Sequence, residues 1–600
     1  MNLVAQPRGL RSGRGLCTFS GALKTSSTES RFREVWVLLC IGLIALTVRL
    51  LYLAEWAGNP LFHAPMGDEL NFHDTARALL GMAPPVDTFL FQPLYSFFLA
   101  GVYGLFGIDF GVVRTIQLVI GLVTCLLFYG LGREIGGKWT GRISALMAAL
   151  YGPMVFFEGT LLAPALVVPL VAGSFWALVA AGKSDRFWLV APAGLLLGVA
   201  MMGRPNLGAM VPVAAVWLWL RPWPVKRRLG ALGLSALALA AGLSPAWIHN
   251  AGRGEKFTLV SSSGGINFYI GNNPQATGRF HIPKGERFTG FTHWDFQENT
   301  RALAEQAEGR KLTPSQVSSY WYRRGLDFWK HEPYRALGLT GKKLLMTLNN
   351  QEMPVHHPYV FAKEVVPILG WLLSFGVAFP FALLGAWLGG RRNSGVWLLV
   401  GCAAAYLATL LAFFVADRFR IVLLPLLVPL AGLGMLRLAE VFQKRGLPRA
   451  WPYLLTLCLS FGLTQIPMTS SSFDNRAIAR GYNRMGKAEG DSGNLAAAER
   501  HFLRALALAG PEDGTVLMNL GRVYEFRGDT EGARSLYRKV AVIDPENREV
   551  RILLARMAER SGEIESAIHW WKEVSGLLAD PRLAEREMAR LKALIESGDE

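Results

Sequence analysis

Residues 91–107 read "FQPLYSFFLAGVYGLFG", and whether this run crosses a membrane decides the topology of everything after it. It is apolar, but it is shorter than the roughly 20 residues a span needs, and Pro93 stands near its start. Counting it as a span would carry the basic cluster Arg133, Lys138 and Arg142 to the side opposite the basic N-terminus. Lys and Arg gather in cytoplasmic loops, so the run reads as a helix lying in or dipping into the outer interface. With it set aside, about eleven spans remain, near 35–54, 111–131, 142–157, 161–181, 187–203, 207–220, 229–247, 364–388, 396–416, 421–439 and 451–468. The clusters Lys183/Arg186, Arg221/Lys226/Arg227/Arg228, Arg391/Arg392 and Lys444/Arg445/Arg449 then share the side of the N-terminal tail, residues 1–34.

Composition agrees with a polytopic membrane protein. Of 600 residues 51% are hydrophobic, with 18 Trp and 34 Phe, too apolar for a set of soluble domains. A net charge of +17 is accounted for by basic cytoplasmic loops and argues for no nucleic-acid partner. Cys40, Cys125, Cys402 and Cys458 lie in apolar runs and Cys17 in the tail, which excludes an external disulfide framework. The first apolar run has no small-residue cleavage site after it and reads as a retained anchor. Loops 55–110 and 248–360 fall on the outer face, and the segment 55–109 carries six acidic side chains against one Arg.

After Met468 the pattern becomes charged, Ala-rich and repetitive. Met485-Gly486, Ala498 and Phe502 align with Leu520-Gly521, Ala533 and Tyr537, and with Leu554-Ala555, Ala567 and Trp571, at steps of 35 and 34 residues. That is the tetratricopeptide period, and Pro511, Pro545 and Pro581 close the units. Residues 479–600 are therefore expected to form an α-solenoid outside, presenting a groove to partners and not required to touch the chemistry.

The outer span ends hold the charged residues of interest. Asp68 and Glu69 in "MGDELNFHDTARALLG" (66–81) open an interfacial helix. They are either capping residues favoured by the helix dipole or a base at the membrane surface. Glu158, at the break in "YGPMVFFEGTLLAPAL" (151–166), is either a loop carboxylate or one facing a cavity. Arg204 in "GRPN" and Arg418 and Arg420 in "DRFR" either snorkel or bind phosphate, which a guanidinium grips as a fork. "SSSGGINFYIGNNPQATGRF" (261–280) is explained by turn composition. His356 and His357 are adjacent and do not form a one-face metal pair, so no metal ligand set is assigned.

Taken in order, "GDELNFHDTARALL", "QPLY", Glu158, "GRPN", "GGINFYIGNNPQATG" and "DRFRIVLLPLLVPLAG" resemble the bacterial relatives of protein O-mannosyltransferases and the lipid A aminoarabinose transferases. The resemblance covers roughly residues 35–440. It implies a GT-C glycosyltransferase domain over 35–468, an all-α polytopic membrane protein, ahead of the repeat solenoid. It implies transfer of a sugar from a polyprenyl-phosphate donor to a protein, lipid or glycan acceptor outside the inner membrane. Asp68 would be the catalytic base, Glu69 or Glu158 would orient the acceptor, and Arg204, Arg418 and Arg420 would hold the phosphate. A divalent metal is compatible with such chemistry, but the residues do not indicate one. Two other classes stay open: a multi-span lipid or glycan transporter, and an assembly scaffold working through its repeats.

Overall fold

The computed structural model describes residues 27–183, 186–255, 258–283, 293–355, 357–390, 393–577 and 582–598. Cys17 and the basic residues before position 27, His356, Arg391/Arg392 and Pro581 lie outside the described residues. Among those described the chain is helical, and the only extended pairings are two isolated bridges, Tyr151 with Leu373 and Arg279 with Val415.

The membrane part begins with α1 (Ser27–Ala57), α2 (Asp68–Leu79), α3 (Leu94–Phe106), α4 (Phe110–Gly136), α5 (Lys138–Ala149), α6 (Gly152–Gly159) and α7 (Pro164–Lys183). It continues with α8 (Val190–Gly203), α9 (Met210–Trp219) and α10 (Val225–Gly252). The long segment after α10 carries α11 (Gly264–Gly271), α12 (His293–Glu308), α13 (Pro314–His331), α14 (Pro333–Leu348) and α15 (Tyr359–Val365). α16 (Phe375–Gly389), α17 (Ser394–Ala412), α18 (Asp417–Arg420), α19 (Leu424–Arg445) and α20 (Leu447–Thr464) complete it. Among the described residues six helices are long and apolar enough to cross a membrane: Arg31–Ala57, Phe110–Gly136, Pro164–Lys183, Val225–Gly252, Ser394–Ala412 and Asp417–Lys444. α3 has 13 residues, about 20 Å of helix, against roughly 30 Å of hydrocarbon.

Two stretches expected as single spans are broken, and each break completes the other. In 142–157 the chain turns extended at Tyr151, and Pro153 starts a new helix. In 364–388 the chain passes from α15 through a 3₁₀ turn, Pro367–Trp371, before α16 begins. Leu373 N donates to Leu150 O at 2.8 Å and Gly152 N donates to Leu373 O at 2.9 Å. Backbone groups freed by a break inside a membrane protein must be satisfied internally, and here one break satisfies the other. Elsewhere close helix approach rests on small residues. A Cβ on Gly194 or Gly198 of α8 would stand 2.3 or 2.2 Å from a carbonyl oxygen of α10, so these helices meet backbone to backbone.

The repeats follow as α21 (Ser471–Asp491), α22 (Leu495–Ala509), α23 (Gly514–Phe526), α24 (Thr530–Ile543), α25 (Arg548–Arg560), α26 (Ile564–Leu577) and a closing α27 (Arg582–Gly598). The positions aligned from sequence are the contacts: a Cβ on Gly486 would meet the Phe502 ring, and one on Gly521 the Tyr537 ring. Buried Ala555 and Trp571 occupy the third pair. The solenoid does not stand apart from the membrane part. Gly481 of α21 lies against Phe361 of α15, and the Tyr482 hydroxyl donates to Glu364 at 2.9 Å.

Candidate active site at the start of α2

Gly67, at φ 59°, turns the chain into α2, so Asp68 and Glu69 occupy its first turn. Successive helical residues point about 100° apart, and the two carboxylates consequently enter different cavities.

Asp68 is buried and forms an ion pair with Arg418 of α18. Their cavity is also lined by Gln92, Asn267, Arg204 and Phe419. Arg204 arrives because α8 ends at it: the following Pro205 disfavours helix at the preceding residue, and Arg204 is extended at φ −151°, ψ 87°. Its guanidinium lies 4.4 Å from the Phe419 ring centroid, and that of Arg418 lies 5.2 Å from the same ring. Among the described residues no carboxylate stands within ion-pair distance of Arg204, and its Nε has no hydrogen-bond partner. Burial pushes its pKa down to about 10, against the opposing pull of Tyr406 and Asp417, so it stays cationic at neutral pH. Gln92 is held in place through its loop. Asn250 at the end of α10 accepts from Phe89 N at 3.0 Å, and His249 stacks on Phe89 at 4.2 Å.

Glu69 faces a second cavity, between the end of α1, the α6–α7 junction, α15 and α21. Its Oε1 accepts from Leu161 N at 2.9 Å and lies 3.7 Å from His357 Nε2, while Oε2 accepts from Met66 N at 3.4 Å. Burial raises the Glu69 pKa above the ordinary carboxylate value, opposed by Arg114, these two backbone donors and Arg484. Arg484 comes from α21, so the first repeat helix contributes to the wall of this cavity.

The remaining sequence candidates go elsewhere. Glu158 is held by Arg49 of α1, Nη2 to Oε1 at 2.8 Å and Nε to Oε2 at 2.7 Å, while its carbonyl accepts from Gln117 at 2.7 Å. It lines neither of the two cavities above. Arg420 pairs with Glu352 at 2.6 Å and donates to the carbonyls of Thr347 and Asn349. These contacts fix the end of the long segment to α18. Asp68, Arg204 and Arg418 are thus brought together, Glu69 stands beside them facing away, and Glu158 and Arg420 pair elsewhere, with Arg49 and Glu352.

Sequence reasoning passed over Arg49, Asn267 and Arg484. Arg49 stands near the end of an apolar span, and an ionisable residue there calls for a partner. Asn267 sits inside the turn-rich stretch, and Arg484 resembles any exposed helix arginine. Among the described residues no group of three or more His, Cys, Asp or Glu could hold a metal ion.

Residues 90–249 match the family model described as dolichyl-phosphate-mannose-protein mannosyltransferase, and residues 483–548 match a tetratricopeptide-repeat model. The first match includes Glu158 and Arg204 and leaves out Asp68, Arg418 and Arg420. No curated protein matches the chain in sequence. Solved structures similar to it include the apo oligosaccharyltransferase of Archaeoglobus fulgidus, 14% identical, TM-score 0.41, over 75% of this chain and 58% of that one. ArnT from Cupriavidus metallidurans is 14% identical in its apo form, TM-score 0.41, over 88% of this chain and 81% of that one. Bound to undecaprenyl phosphate it is again 14% identical, TM-score 0.38, with 92% and 82% covered. The chain therefore spans a little over half the length of the archaeal enzyme.

Proposed function

We propose that the chain is a membrane glycosyltransferase that moves a sugar from a polyprenyl-phosphate-linked donor to a protein, lipid or glycan acceptor at the outer face of the inner membrane. The observation that carries this reading is one cavity in which the Asp68–Arg418 pair meets Arg204, a buried guanidinium with no carboxylate partner among the described residues. A buried unpaired cation is costly unless an anion completes it, and a phosphate does so through a forked pair of hydrogen bonds. The family match over residues 90–249 supports a donor of the lipid-phosphate-sugar class.

The reaction follows from these groups. The acceptor's O–H or N–H attacks the anomeric carbon of the donor sugar, and the bond from that carbon to the phosphate oxygen breaks. Its electron pair leaves with the polyprenyl phosphate, and the acceptor proton passes to Asp68. Arg204 and Arg418 hold the phosphate as charge grows on it. Arg418 exchanges one carboxylate for the phosphate on donor entry, which frees Asp68 as the base. Glu69 orients the acceptor from the neighbouring cavity. With the basic N-terminal tail in the cytoplasm, the acidic pair and the repeats lie outside.

The test is sugar transfer by purified protein supplied with polyprenyl-phosphate sugars. Asp68→Asn keeps size and most hydrogen bonding but cannot take the proton, so turnover falls by about 10²–10⁴-fold with donor binding retained. Near-normal turnover, at unchanged abundance and thermal stability, would return Asp68 to a purely structural part.

A further inference from the structure

Several arginines of the later repeat helices are neutralised where they stand: Arg522, Arg527, Arg534, Arg551, Arg560 and Arg590 all pair with glutamates. In the first repeat helix the arginines form a file. Arg476, Arg480 and Arg484 follow one another at four-residue steps on one side of α21, and Arg279, from the loop after α11, comes beside the first two. Among the described residues no carboxylate lies within ion-pair distance of any of the four. Arg279 packs over Phe473 at 3.9 Å and leaves its buried Nη1 without a hydrogen-bond partner. Arg476 and Arg480 are exposed and Arg484 is half-buried.

The charges act on one another along the file. Arg476 and Arg279 both oppose the charge of Arg480, Arg480 opposes that of Arg484, and Arg484 is the one that reaches Glu69. Burial takes the Arg484 pKa down to about 10. Nearby acids are committed elsewhere: Asp513 caps α23 through Val516 N at 3.1 Å, and Asp474 accepts from Gln351 at 2.6 Å. Like charges at i, i+4 destabilise a helix. A bare row of them, ending at a cavity, is the arrangement an anionic chain relieves.

We propose that the arginine file of α21, with Arg279, is a docking track for an acidic polypeptide segment in extended conformation, leading toward the Glu69 cavity. Spacing selects the class of ligand. Four-residue steps on a helix advance about 6 Å, and alternate residues of an extended chain advance about 6.7 Å. Successive arginines therefore meet every second side chain of a strand-like peptide, and clusters of arginine are a general means of reading acidic motifs. That the captured segment is the acceptor rests on the transferase reading; its capture does not.

The experiment uses full-length protein in neutral-lipid nanodiscs and a fluorescein-labelled Gly-Ser peptide bearing glutamate at every second position, followed by anisotropy. The peptide binds, its binding weakens as salt rises, and the same peptide with lysine for glutamate does not bind. Arg476→Gln with Arg480→Gln, both at exposed positions, weakens binding by about tenfold or more, and Arg476→Lys with Arg480→Lys largely restores it. Absence of binding, equal binding by the double Gln variant, or equal binding of the lysine peptide would overturn the proposal. So would a double Gln variant that keeps peptide binding and loses only attachment to phosphatidylglycerol vesicles. Loss of sugar transfer with peptide capture intact would sink the transferase reading and leave the track standing.

Discussion

Two buried ion pairs in the membrane part have the same chemistry and different surroundings. Glu158 and Arg49 grip each other through two contacts, between α6 and α1, with Gly121 of α4 pressed against the carboxylate so that even a Cβ there would stand 2.4 Å from it. Asp68 and Arg418 meet at the wall of a cavity, beside a second guanidinium, Arg204, with no carboxylate within ion-pair distance among the described residues. The Glu158 pair borders only a narrow gap lined by Thr124, Met154 and Phe157, with no second guanidinium in it, and on the proposed function its worth is structural. An open pair with surplus positive charge beside it is poised to trade a carboxylate for a phosphate. Each pair borders a cavity, and the second guanidinium, Arg204, is what sets the Asp68 cavity apart.

The largest expected effect falls on the open pair: Asp68→Asn removes the base, lowering turnover by about 10²–10⁴-fold with only a small change in thermal midpoint. The Glu158 pair reverses that order. Glu158→Gln leaves Arg49 charged and unpaired, and breaking a buried pair in this way costs about 3–5 kcal/mol. Its thermal midpoint and yield fall first, and activity is lost only in proportion to folded protein. Replacing both members, Glu158→Leu with Arg49→Met, recovers most of the stability. If Glu158→Gln abolished transfer in stably folded protein, the contrast between the two pairs would fail.

Arg418 and Arg420, two residues apart, sharpen the comparison. Arg420→Gln leaves Glu352 buried without its partner and loosens the carbonyls of Thr347 and Asn349, lowering stability by about 3–5 kcal/mol, with donor affinity near normal. Arg418→Gln acts on donor affinity. The smallest effect is at Glu69. Because its folded pKa is raised, the folded protein binds that proton more tightly than the unfolded chain. Stability is then greatest below the ordinary carboxylate range and declines as pH rises through the raised value. Glu69→Gln removes this part of the slope, read as a flatter plot of thermal midpoint against pH.

Asp68, Arg204 and Arg418 were legible in the sequence because Arg204 and Arg418 stand at the ends of apolar runs and Asp68 opens the amphipathic stretch that follows the first run. The repeats were legible for a similar reason, since Gly486 with Phe502 and Gly521 with Tyr537 recur at a fixed period and are the packing contacts themselves. Arg49 was not, because a single charge does not disturb the average of the long apolar span around it. The breaks at Tyr151 and Leu373 were invisible for a different reason: each is tolerable only because the other exists, and hydropathy summed along one segment cannot register a partner more than two hundred residues away. Glu158 and Arg420 lie outside the Asp68 cavity, a difference hidden in the sequence because a span-end charge has the same signature whichever partner it meets. Arg484 showed its neighbourhood only when α21 docked on α15.

Mass spectrometry of the lipid retained by purified protein after incubation with polyprenyl-phosphate sugars tests the open cavity most directly. Wild-type protein is expected to retain the lipid-phosphate sugar, and Arg204→Gln, folded to the same thermal midpoint, to lose it by about tenfold or more, as removal of a charge-assisted phosphate contact implies. Equal retention by Arg204→Gln, or no retention by the wild type, would contradict the placing of the donor phosphate between Arg204 and Arg418.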